Sequence, residues 1–438
     1  MAGGTFTTQD KTRPGVYINF ESVPKASGTL GDRGVVTMAL PLSWGADHAV
    51  IAVNAGDDTS KLLGYDIATP QLLLVREALK RAKTILLYRL NAGTKAKVTV
   101  GGLTATAKYG GVRGNDLTVT IQQDIDDELV YIVRTMLQGV VLDEQTAAAI
   151  DGLQANDWLT FSGTGALTAT ASAPLTGGAD GTATNQDHSD YLEAIELTDF
   201  QTIALVSTDN TLKTLYTAFV KRLRDSEGVK VQAVLENYAT ADYEGVISVK
   251  NGVVLSDGTS LTAAQATAWM AAATAGAAVN QSLTYSPYED AVDANPRYTN
   301  SQIEAALRAG EIVFTRNNGR IVVEQDINTL SSYTPTKQRH FSKNRVLRVL
   351  DGINNDMKRT FESTFVGKVA NTDDGRNLIR NEYNKYFDLL QNLSAIQNFD
   401  AQTDVLVKVG DDSESVYAEV NVQPVDAVEK IYMKVQVR

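Results

Sequence analysis

Residues 70–82, Pro-Gln-Leu-Leu-Leu-Val-Arg-Glu-Ala-Leu-Lys-Arg-Ala, and residues 84–89, Thr-Ile-Leu-Leu-Tyr-Arg, form the stretch that decides the fold. The first segment predicts a helix, because proline is well suited to the first helical position. The second is a short apolar run bounded by polar residues, which is typical of a buried strand. With further candidate strands at residues 34–40 and 49–53, this stretch predicts an α/β unit.

The α/β pattern returns after residue 185. It predicts a helix leading into Ile195, a strand at 202–206, a helix at 212–224, a strand at 229–235 and an Ala-rich helix at 262–278. Asn251-Gly252 and Asn318-Gly319 each predict a β-hairpin, since Asn-Gly is the strongest short hairpin signal. Strands that alternate with helices indicate a mostly parallel sheet covered on both faces. We assign residues 23–93 and 186–340 to this discontinuous core.

Residues 94–185 differ in character, because Gly, Thr and Ala dominate and short alternating runs are separated by glycine turns. This spacing favours a small β-sandwich or barrel. Only residues 144–153 have a helical pattern. The segment interrupts α/β elements, so we interpret it as an all-β domain inserted into a surface loop, where insertions are tolerated best.

Residues 341–438 predict a third unit of the α+β class. Two segments, around residues 346–361 and 379–393, carry apolar residues at helical spacing. Alternating strands are predicted at residues 403–409, 416–422 and 431–437, the last belonging to a terminal strand at 430–438. Two helices would cover one face of this small antiparallel sheet. The fold class is therefore α/β and α+β multidomain, with extended strand-forming terminal arms.

Both ends of the chain show strict period-two alternation without an evident partner strand. Residues 1–12 indicate a mobile arm, within a terminal segment that extends to residue 22. Monomers protect apolar edge strands, so these strands suggest pairing with another copy of the chain by β-augmentation. The alternative is that both strands complete sheets of their own chain. The candidate inter-subunit residues are Val16, Tyr17, Ile18, Asn19, Phe20, Tyr432, Met433, Val435 and Val437.

Composition limits the partners. The 438 residues carry 40 Lys and Arg against 52 Asp and Glu, a net charge of −12, which argues against nucleic-acid or membrane-surface binding. The absence of cysteine excludes disulfides, thiolate metal sites and cysteine nucleophiles, and fits a reducing compartment. The first residues lack a signal-peptide pattern, and no apolar run is long enough to span a bilayer. We expect assembly in a cytoplasm.

No pattern indicates an active site. His48, His188 and His340 lie in no metal-ligand spacing, and Ser207 with the following Thr-Asp-Asn favours a helix cap over a nucleophile. The acidic run at residues 124–128 and the segment 371–375 lack the glycine and glutamate pattern of a calcium loop, and both favour turns or caps. The glycine-rich segments lack the ending of a phosphate loop. We therefore predict no enzyme activity and no cofactor.

A basic run is the one conspicuous charge feature. Within twelve residues lie Lys337, Arg339, His340, Lys343, Arg345 and Arg348. One interpretation is a solvated helix face. The other is docking onto an acidic protein surface, where complementary charge would steer association.

Five segments together resemble the tail sheath proteins of contractile phage tails and contractile bacteriocins. They are residues 12–17, Thr-Arg-Pro-Gly-Val-Tyr; residues 107–117, Ala-Lys-Tyr-Gly-Gly-Val-Arg-Gly-Asn-Asp-Leu; residues 348–356 with 365–371; and residues 424–432, Pro-Val-Asp-Ala-Val-Glu-Lys-Ile-Tyr. Their order and spacing extend over nearly the whole chain.

The resemblance implies a structural subunit that forms stacked hexameric rings around an inner tail tube. Terminal arms would complete sheets of neighbours, and contraction would drive the tube through a bacterial envelope without nucleotide. It implies as partners further copies, the tube protein, the baseplate and a tail terminator, in a virion tail or bacteriocin particle. The inserted domain would lie outside and residues 341–438 near the tube, which Lys337, Arg339, Lys343, Arg345 and Arg348 would face. A stand-alone α/β enzyme and a non-contractile self-assembling surface protein remain alternatives.

Overall fold

The computed structural model describes residues 2–4, 15–17 and 30–437. The α-helices are α1 (Thr59–Leu63), α2 (Leu73–Leu79), α3 (Asn185–Glu196), α4 (Asn210–Lys221), α5 (Ala263–Gly276), α6 (Asn300–Arg308), α7 (Asn344–Thr364) and α8 (Asp373–Asn392). The strands are β1 (Ala2–Gly4), β2 (Gly15–Tyr17), β3 (Val35–Leu40), β4 (Val50–Asn54), β5 (Thr84–Arg89), β6 (Gly93–Thr94), β7 (Lys97–Val100), β8 (Leu103–Ala107), β9 (Leu117–Gln123), β10 (Tyr131–Leu137), β11 (Val140–Ala147), β12 (Leu159–Ser162), β13 (Thr170–Pro174), β14 (Ala179–Asp180), β15 (Thr202–Ala204), β16 (Gln232–Glu236), β17 (Val246–Val249), β18 (Gly252–Leu255), β19 (Ser260–Leu261), β20 (Ala291–Asn295), β21 (Glu311–Ile312), β22 (Phe314–Asn317), β23 (Arg320–Val323), β24 (Ile396–Gln397), β25 (Val405–Val409), β26 (Val416–Val420) and β27 (Gln423–Pro424).

The described residues divide into two compact units. The larger unit contains residues 31–355 and the chain from Pro424 onwards, and the smaller contains residues 356–423 with the described N-terminal strands. The long helix α7 contributes residues to both.

A seven-stranded sheet forms the centre of the larger unit, in the order β21-β17-β16-β15-β3-β5-β4. Every pairing is parallel except that of β4 with β5. Helices α2 and α5 bury one face, and α3 and α4 bury the other. Coverage on both faces explains why these strands are apolar runs rather than alternating ones.

Of the two helices that cover the first face of the sheet, α2 and α5, helix α5 is the more deeply buried. Its alanines let the helix backbone approach the sheet closely enough for the Thr202 hydroxyl on β15 to donate to the Ala271 carbonyl at 2.7 Å. Trp269 fills the remaining space and stacks on Tyr288 with ring centroids 4.2 Å apart. The helix has no polar face, which is the pattern of a helix surrounded by protein.

Residues 97–174 form a β-sandwich. One sheet has the order β12-β8-β7 and the other β11-β10-β9-β13. Alternate residues of β8 (Leu103, Ala105, Ala107) and of β9 (Leu117, Val119, Ile121) are buried in the common core. The mixed α/β and all-β architecture confirms the predicted fold class.

The smaller unit packs residues 356–364 of α7 and helix α8 through aromatic side chains. Phe361 lies 4.9 Å from Tyr383, and Phe387 lies 5.3 Å from Phe399, between ring centroids. The Tyr386 hydroxyl donates to the Asp356 carboxylate at 2.8 Å. Strands β25 and β26 form an antiparallel ribbon in the same unit.

The predicted hairpin at Asn251-Gly252 is wrong. Strands β17 and β18 belong to different sheets, because β17 pairs with β16 and β21 whereas β18 pairs with β19 and β20. The buried Asn251 amide replaces a strand partner: it accepts from the Phe314 N–H at 2.8 Å and donates to the Phe314 carbonyl at 3.0 Å. By contrast, Asn318 and Gly319, both at positive φ, join β22 and β23 as predicted.

Two other local predictions are also wrong. Residues 144–153 form no α-helix, because residues 144–147 pair with β10 as the end of strand β11, Ala147 enters the sandwich core, and only Ile150–Gly152 form a short 3-10 turn. Ala2–Gly4, expected in a mobile arm, pairs in parallel with Gly15–Tyr17. Residues 431–437 pair with no described residue of their own chain, so the strand predicted there for pairing with another copy remains a prediction.

Candidate functional site

The ribbon of β25 and β26 is open on both sides. The two strands pair from Val405 with Val420 to Val409 with Val416, and neither pairs with another strand in the described part of the chain. Val405 is buried and Leu406, Tyr417 and Glu419 are exposed, so one face is covered and the other is free. Two-stranded sheets are marginally stable in water. The ribbon is therefore suited to accept additional strands.

The C-terminal segment beyond Lys430 is almost fully exposed. Relative exposures are 90% for Tyr432, 83% for Met433, 72% for Val435 and 95% for Val437. Ile431 is exposed at 84%. The apolar side chains at alternate positions of this segment lie on one face of a sheet only when the segment pairs with another strand.

The predicted N-terminal contact residues are described only in part. Val16 and Tyr17 lie in β2, whose parallel partner is β1 of the same chain. Ile18, Asn19 and Phe20 lie outside the described residues. The prediction that these five residues contact another subunit remains a prediction.

The second half of the basic run is not a solvated face. Arg348 is 2% exposed, donates to the Gln281 carbonyl at 2.5 Å and lies 3.5 Å from the Asp326 carboxylate. Arg345 is buried and donates to the carbonyls of Asn280 and Val425. The prediction that Arg345 and Arg348 face a tube is therefore wrong, because both side chains satisfy acceptors of their own chain.

Lys343 also forms its ion pair within the chain. Its ammonium pairs with the Glu429 carboxylate, and both side chains are 12% exposed. This contradicts a tube-facing role for Lys343 as well. Lys337 pairs with the buried Glu244 but keeps 41% of its side chain exposed, and Arg339 is exposed. These two cations remain candidates for contact with a partner.

The glycine-rich segment 107–117 builds the neck between the sandwich and the sheet. A Cβ on Gly110 would lie 2.0 Å from the Gly93 carbonyl oxygen. The buried Arg89 guanidinium, at the end of β5, donates to the carbonyls of Gly45 and Gly110 at 2.8 Å each. The Asn115 amide donates to Gly178 and accepts from it. The segment is thus required for close backbone packing.

The candidate catalytic residues have structural partners. Burial lowers the pKa of His188, whose Nδ1 lies 2.8 Å from the Tyr216 hydroxyl. The Ser207 hydroxyl accepts from the Asp209 N–H, and Asp209 caps α4 as predicted. Asp124 and Asp127 accept from backbone N–H groups two residues ahead, as turn residues do. The described residues contain no cluster of metal-ligating side chains, and none of their helices has the length and apolarity to cross a bilayer.

Sequence reasoning missed a buried polar network under the C-terminal segment. Asn344 donates to Asp326, and Glu429 accepts from Gln325 at 2.6 Å and from Thr284 at 2.9 Å. Although burial opposes ionisation, these bonds and Lys343 lower the pKa of Glu429. The signal available in the sequence was the acid Glu429 beside an apolar alternating segment, together with the excess of cations at residues 337–348.

Comparison with known proteins assigns the whole chain to one family. Four family models match consecutive parts: the tail sheath protein Gp18 domain III N-terminal region at residues 33–90, the phage tail sheath protein beta-sandwich domain at 91–180, the phage tail sheath protein central domain at 181–329, and the phage tail sheath C-terminal domain at 336–438.

Individual relatives agree with this assignment. The sheath tail protein from Desulfitobacterium hafniense has a crystal structure with a TM-score of 0.88 and 59% identity, covering 97% of this chain and 100% of that one. The phage-like element PBSX protein XkdK of Bacillus subtilis (strain 168) is 39% identical over the full length of both chains. The helical sheath of the anti-feeding prophage in its contracted state has the same fold, with a TM-score of 0.59 at 14% identity over 97% of this chain and 99% of that one.

The open ribbon, the exposed terminal segment and the neck glycines thus occur in a chain that matches sheath proteins from end to end. Sheath proteins are structural, and the protein is accordingly structural rather than enzymatic. The chain belongs to the phage tail sheath protein family.

Proposed function

We propose that the protein is the subunit of a contractile tail sheath, which polymerises as stacked hexameric rings around an inner tail tube. Subunits are linked by exchange of terminal strands, and the sheath contracts to drive the tube through a bacterial envelope. The observation that carries the proposal is the combination of an open two-stranded ribbon with an exposed apolar segment at residues 431–437. The ribbon has free edges that need a further strand, and the segment is a strand sequence that needs a pairing partner.

The energetics favour strand exchange. Each main-chain hydrogen bond contributes roughly 0.5–1.5 kcal/mol net, and each buried aliphatic or aromatic side chain about 1.5–3 kcal/mol. Met433, Val435 and Val437 lie on one face of such a strand and Tyr432 on the other. The hydrogen bonds and buried side chains of one strand together exceed the entropic cost of ordering that short segment, which is already attached to a folded subunit.

The proposal includes a placement of domains and partners. Residues 94–185 lie on the outer surface and residues 341–438 near the tube, and residues 23–93 and 186–340 form the α/β core. The tube protein, baseplate and tail terminator are the other partners, in a phage tail or contractile bacteriocin assembled in a bacterial cytoplasm. Support comes from the family assignment and from the exposed Lys337 and Arg339 beside the C-terminal region.

Deleting residues 431–438 tests the proposal directly. We expect a folded protein with an unchanged circular dichroism spectrum that forms no tubes in electron micrographs, with or without tube protein. A truncated protein that still builds contractile sheaths would overturn strand exchange by the C-terminal arm.

Two matched double variants test which side of the alternating segment 431–437 contacts a neighbouring subunit. Replacing Met433 and Val435 with Ser removes apolar side chains from one face, whereas replacing Lys434 and Gln436 with Ser changes the other face at equal length. We expect the first pair to prevent sheath assembly and the second to permit it. Equal effects of the two pairs would exclude a one-sided strand contact.

A further inference from the structure

The C-terminal segment returns to the larger unit before it becomes exposed. From Pro424 onwards the chain belongs to the unit that contains the seven-stranded sheet. Residues 425–430 form no strand in the described structure. Their attachment therefore rests on side chains rather than on a backbone ladder.

Glu429 provides most of that attachment. Its carboxylate accepts from the Lys343 ammonium, from the Gln325 amide at 2.6 Å and from the Thr284 hydroxyl at 2.9 Å. Four residues earlier, the Arg345 guanidinium donates to the Val425 carbonyl. Three donors on one carboxylate in a largely buried position form a strong set, because charge-assisted hydrogen bonds are roughly twice as strong as neutral ones.

The donors to Glu429 are themselves held in place. The Thr284 hydroxyl also accepts from the Asp326 N–H at 3.0 Å, and Lys343 forms an isolated antiparallel bridge with Ile327. Asp326 is 1% exposed and bonds to Asn344. Gln325 lies two residues after the end of β23. The carboxylate therefore meets a preformed site on the folded unit.

The contrast with the neighbouring residues is abrupt. Glu429 is 12% exposed at its side chain, whereas Val428 before it is 84% exposed and Ile431 and every apolar residue after it are at least 72% exposed. Glu429 is therefore a buried contact within an otherwise exposed segment.

We infer that Glu429 anchors the C-terminal arm at a fixed point on the α/β unit, so that a pull on residues 431–437 passes into that unit through Lys343, Gln325 and Thr284. The inference rests on the proposed function, in which a neighbouring subunit holds those residues. The anchor keeps a pull on a subunit's own arm from passing back along the chain to β25 and β26 of the same subunit. A two-stranded ribbon alone would resist peeling weakly.

Limited trypsin digestion of the unassembled protein tests the anchor. Trypsin cleaves after Lys430, next to the anchor, and after Lys434, in the exposed segment. Cleavage rates are normalised to those of synthetic peptides spanning residues 424–438, because a neighbouring Glu changes the intrinsic rate. In the wild type we expect slow cleavage after Lys430 and fast cleavage after Lys434, since cleavage at an anchored site requires local opening.

Glu429→Gln should raise the normalised rate at Lys430 by roughly tenfold, which is the effect of losing one charge-assisted bond on an opening equilibrium. Lys343→Met should act in the same direction, and Glu414→Gln, at an exposed acid in the turn between β25 and β26, should not. Equal wild-type rates at Lys430 and Lys434, or unchanged rates in both variants, would overturn the anchor.

Sheaths assembled from Glu429→Gln protein should dissociate at a lower urea concentration than wild-type or Glu414→Gln sheaths. Identical urea midpoints would overturn the load path even if digestion detects the anchor. Assembly of the protein lacking residues 431–438 would instead refute the proposed function, and the digestion result would still stand.

Discussion

The Arg224 guanidinium makes two hydrogen bonds with the Asp351 carboxylate, at 2.7 and 2.8 Å, and thereby joins the π-helical turn after helix α4 to helix α7. Arg224 is 3% exposed, and it also donates to the Val231 carbonyl. A buried bidentate pair contributes little to stability compared with an apolar pair, but removing one partner leaves an uncompensated charge.

Asp351→Asn should lower the free energy of unfolding by about 3–5 kcal/mol, because the buried Arg224 charge loses its partner. Urea denaturation followed by circular dichroism measures the change. The matched control is Glu304→Gln in the exposed Arg308–Glu304 pair, where we expect a change of no more than about 1 kcal/mol. Similar losses in the two variants would contradict the importance of burial.

Asp242 gives the larger unit an acid-sensitive contact. Partial burial opposes its ionisation, but hydrogen bonds from Ser332 and Ser331 lower its pKa to about 2. Because the folded pKa lies below the ordinary aspartate value of 3.8, the contribution of this contact to stability is complete above about pH 5 and is lost as the pH falls toward 2. After allowance for solvent screening, we expect about 1–2 kcal/mol.

The measurement is the urea midpoint of the wild type and of Asp242→Asn between pH 6 and pH 2. Asn also tolerates the left-handed backbone at this position, where φ is 42°. The difference between the two proteins should be largest at pH 6 and should shrink as the pH approaches 2. A constant difference over the range would assign the effect to side-chain shape rather than to charge.

Gly110→Ala should disrupt the neck, because the new Cβ would overlap the Gly93 carbonyl oxygen. We expect a loss of several kcal/mol and protease cleavage between the sandwich and the sheet. Gly352→Ala is the control: its Cβ would meet only Val279 at an ordinary 3.5 Å, within a helix. Alanine is favoured over glycine there by roughly 0.5–1 kcal/mol, so a thermal melt should show the two changes with opposite signs.

Lys337→Glu with Arg339→Glu should weaken co-assembly with tube protein at low salt, if these exposed cations meet an acidic tube. The control is Arg316→Glu with Arg320→Glu, which reverses two charges on the hairpin of β22 and β23. Sedimentation of sheath with preformed tubes at low and high salt measures the effect, since exposed charge interactions are screened. If both variants load normally onto tubes, Lys337 and Arg339 do not contribute to contact with the tube.

The sequence predicted the elements more reliably than their connections. Strand β5 matches its predicted bounds, because a short apolar run reports burial directly. The two Asn-Gly pairs show the limit: Asn318 turns a hairpin, whereas Asn251 is drawn into contact with Phe314, which is distant in sequence. Local propensity carries no information about such a partner.

Some of the candidate site residues could be predicted from the sequence and others could not. Exposed apolar residues such as Val435 and Val437 were predictable, because their alternation needs no knowledge of the fold. The roles of Arg345, Arg348 and Lys343 were not, because a run of cations looks the same whether water or buried acceptors surround it. Only the folded chain places Asp326 and Glu429 beside them.

The exposed apolar segment also makes the free subunit vulnerable before assembly. Two unassembled subunits can join through these segments in the wrong register and aggregate, a hazard that grows with concentration. Lys430, Lys434 and Gln436 alternate with the apolar residues, and such polar residues act as gatekeepers against uncontrolled pairing. The composition of the arm thus reflects a compromise between strength in the polymer and solubility in the pool of free subunits.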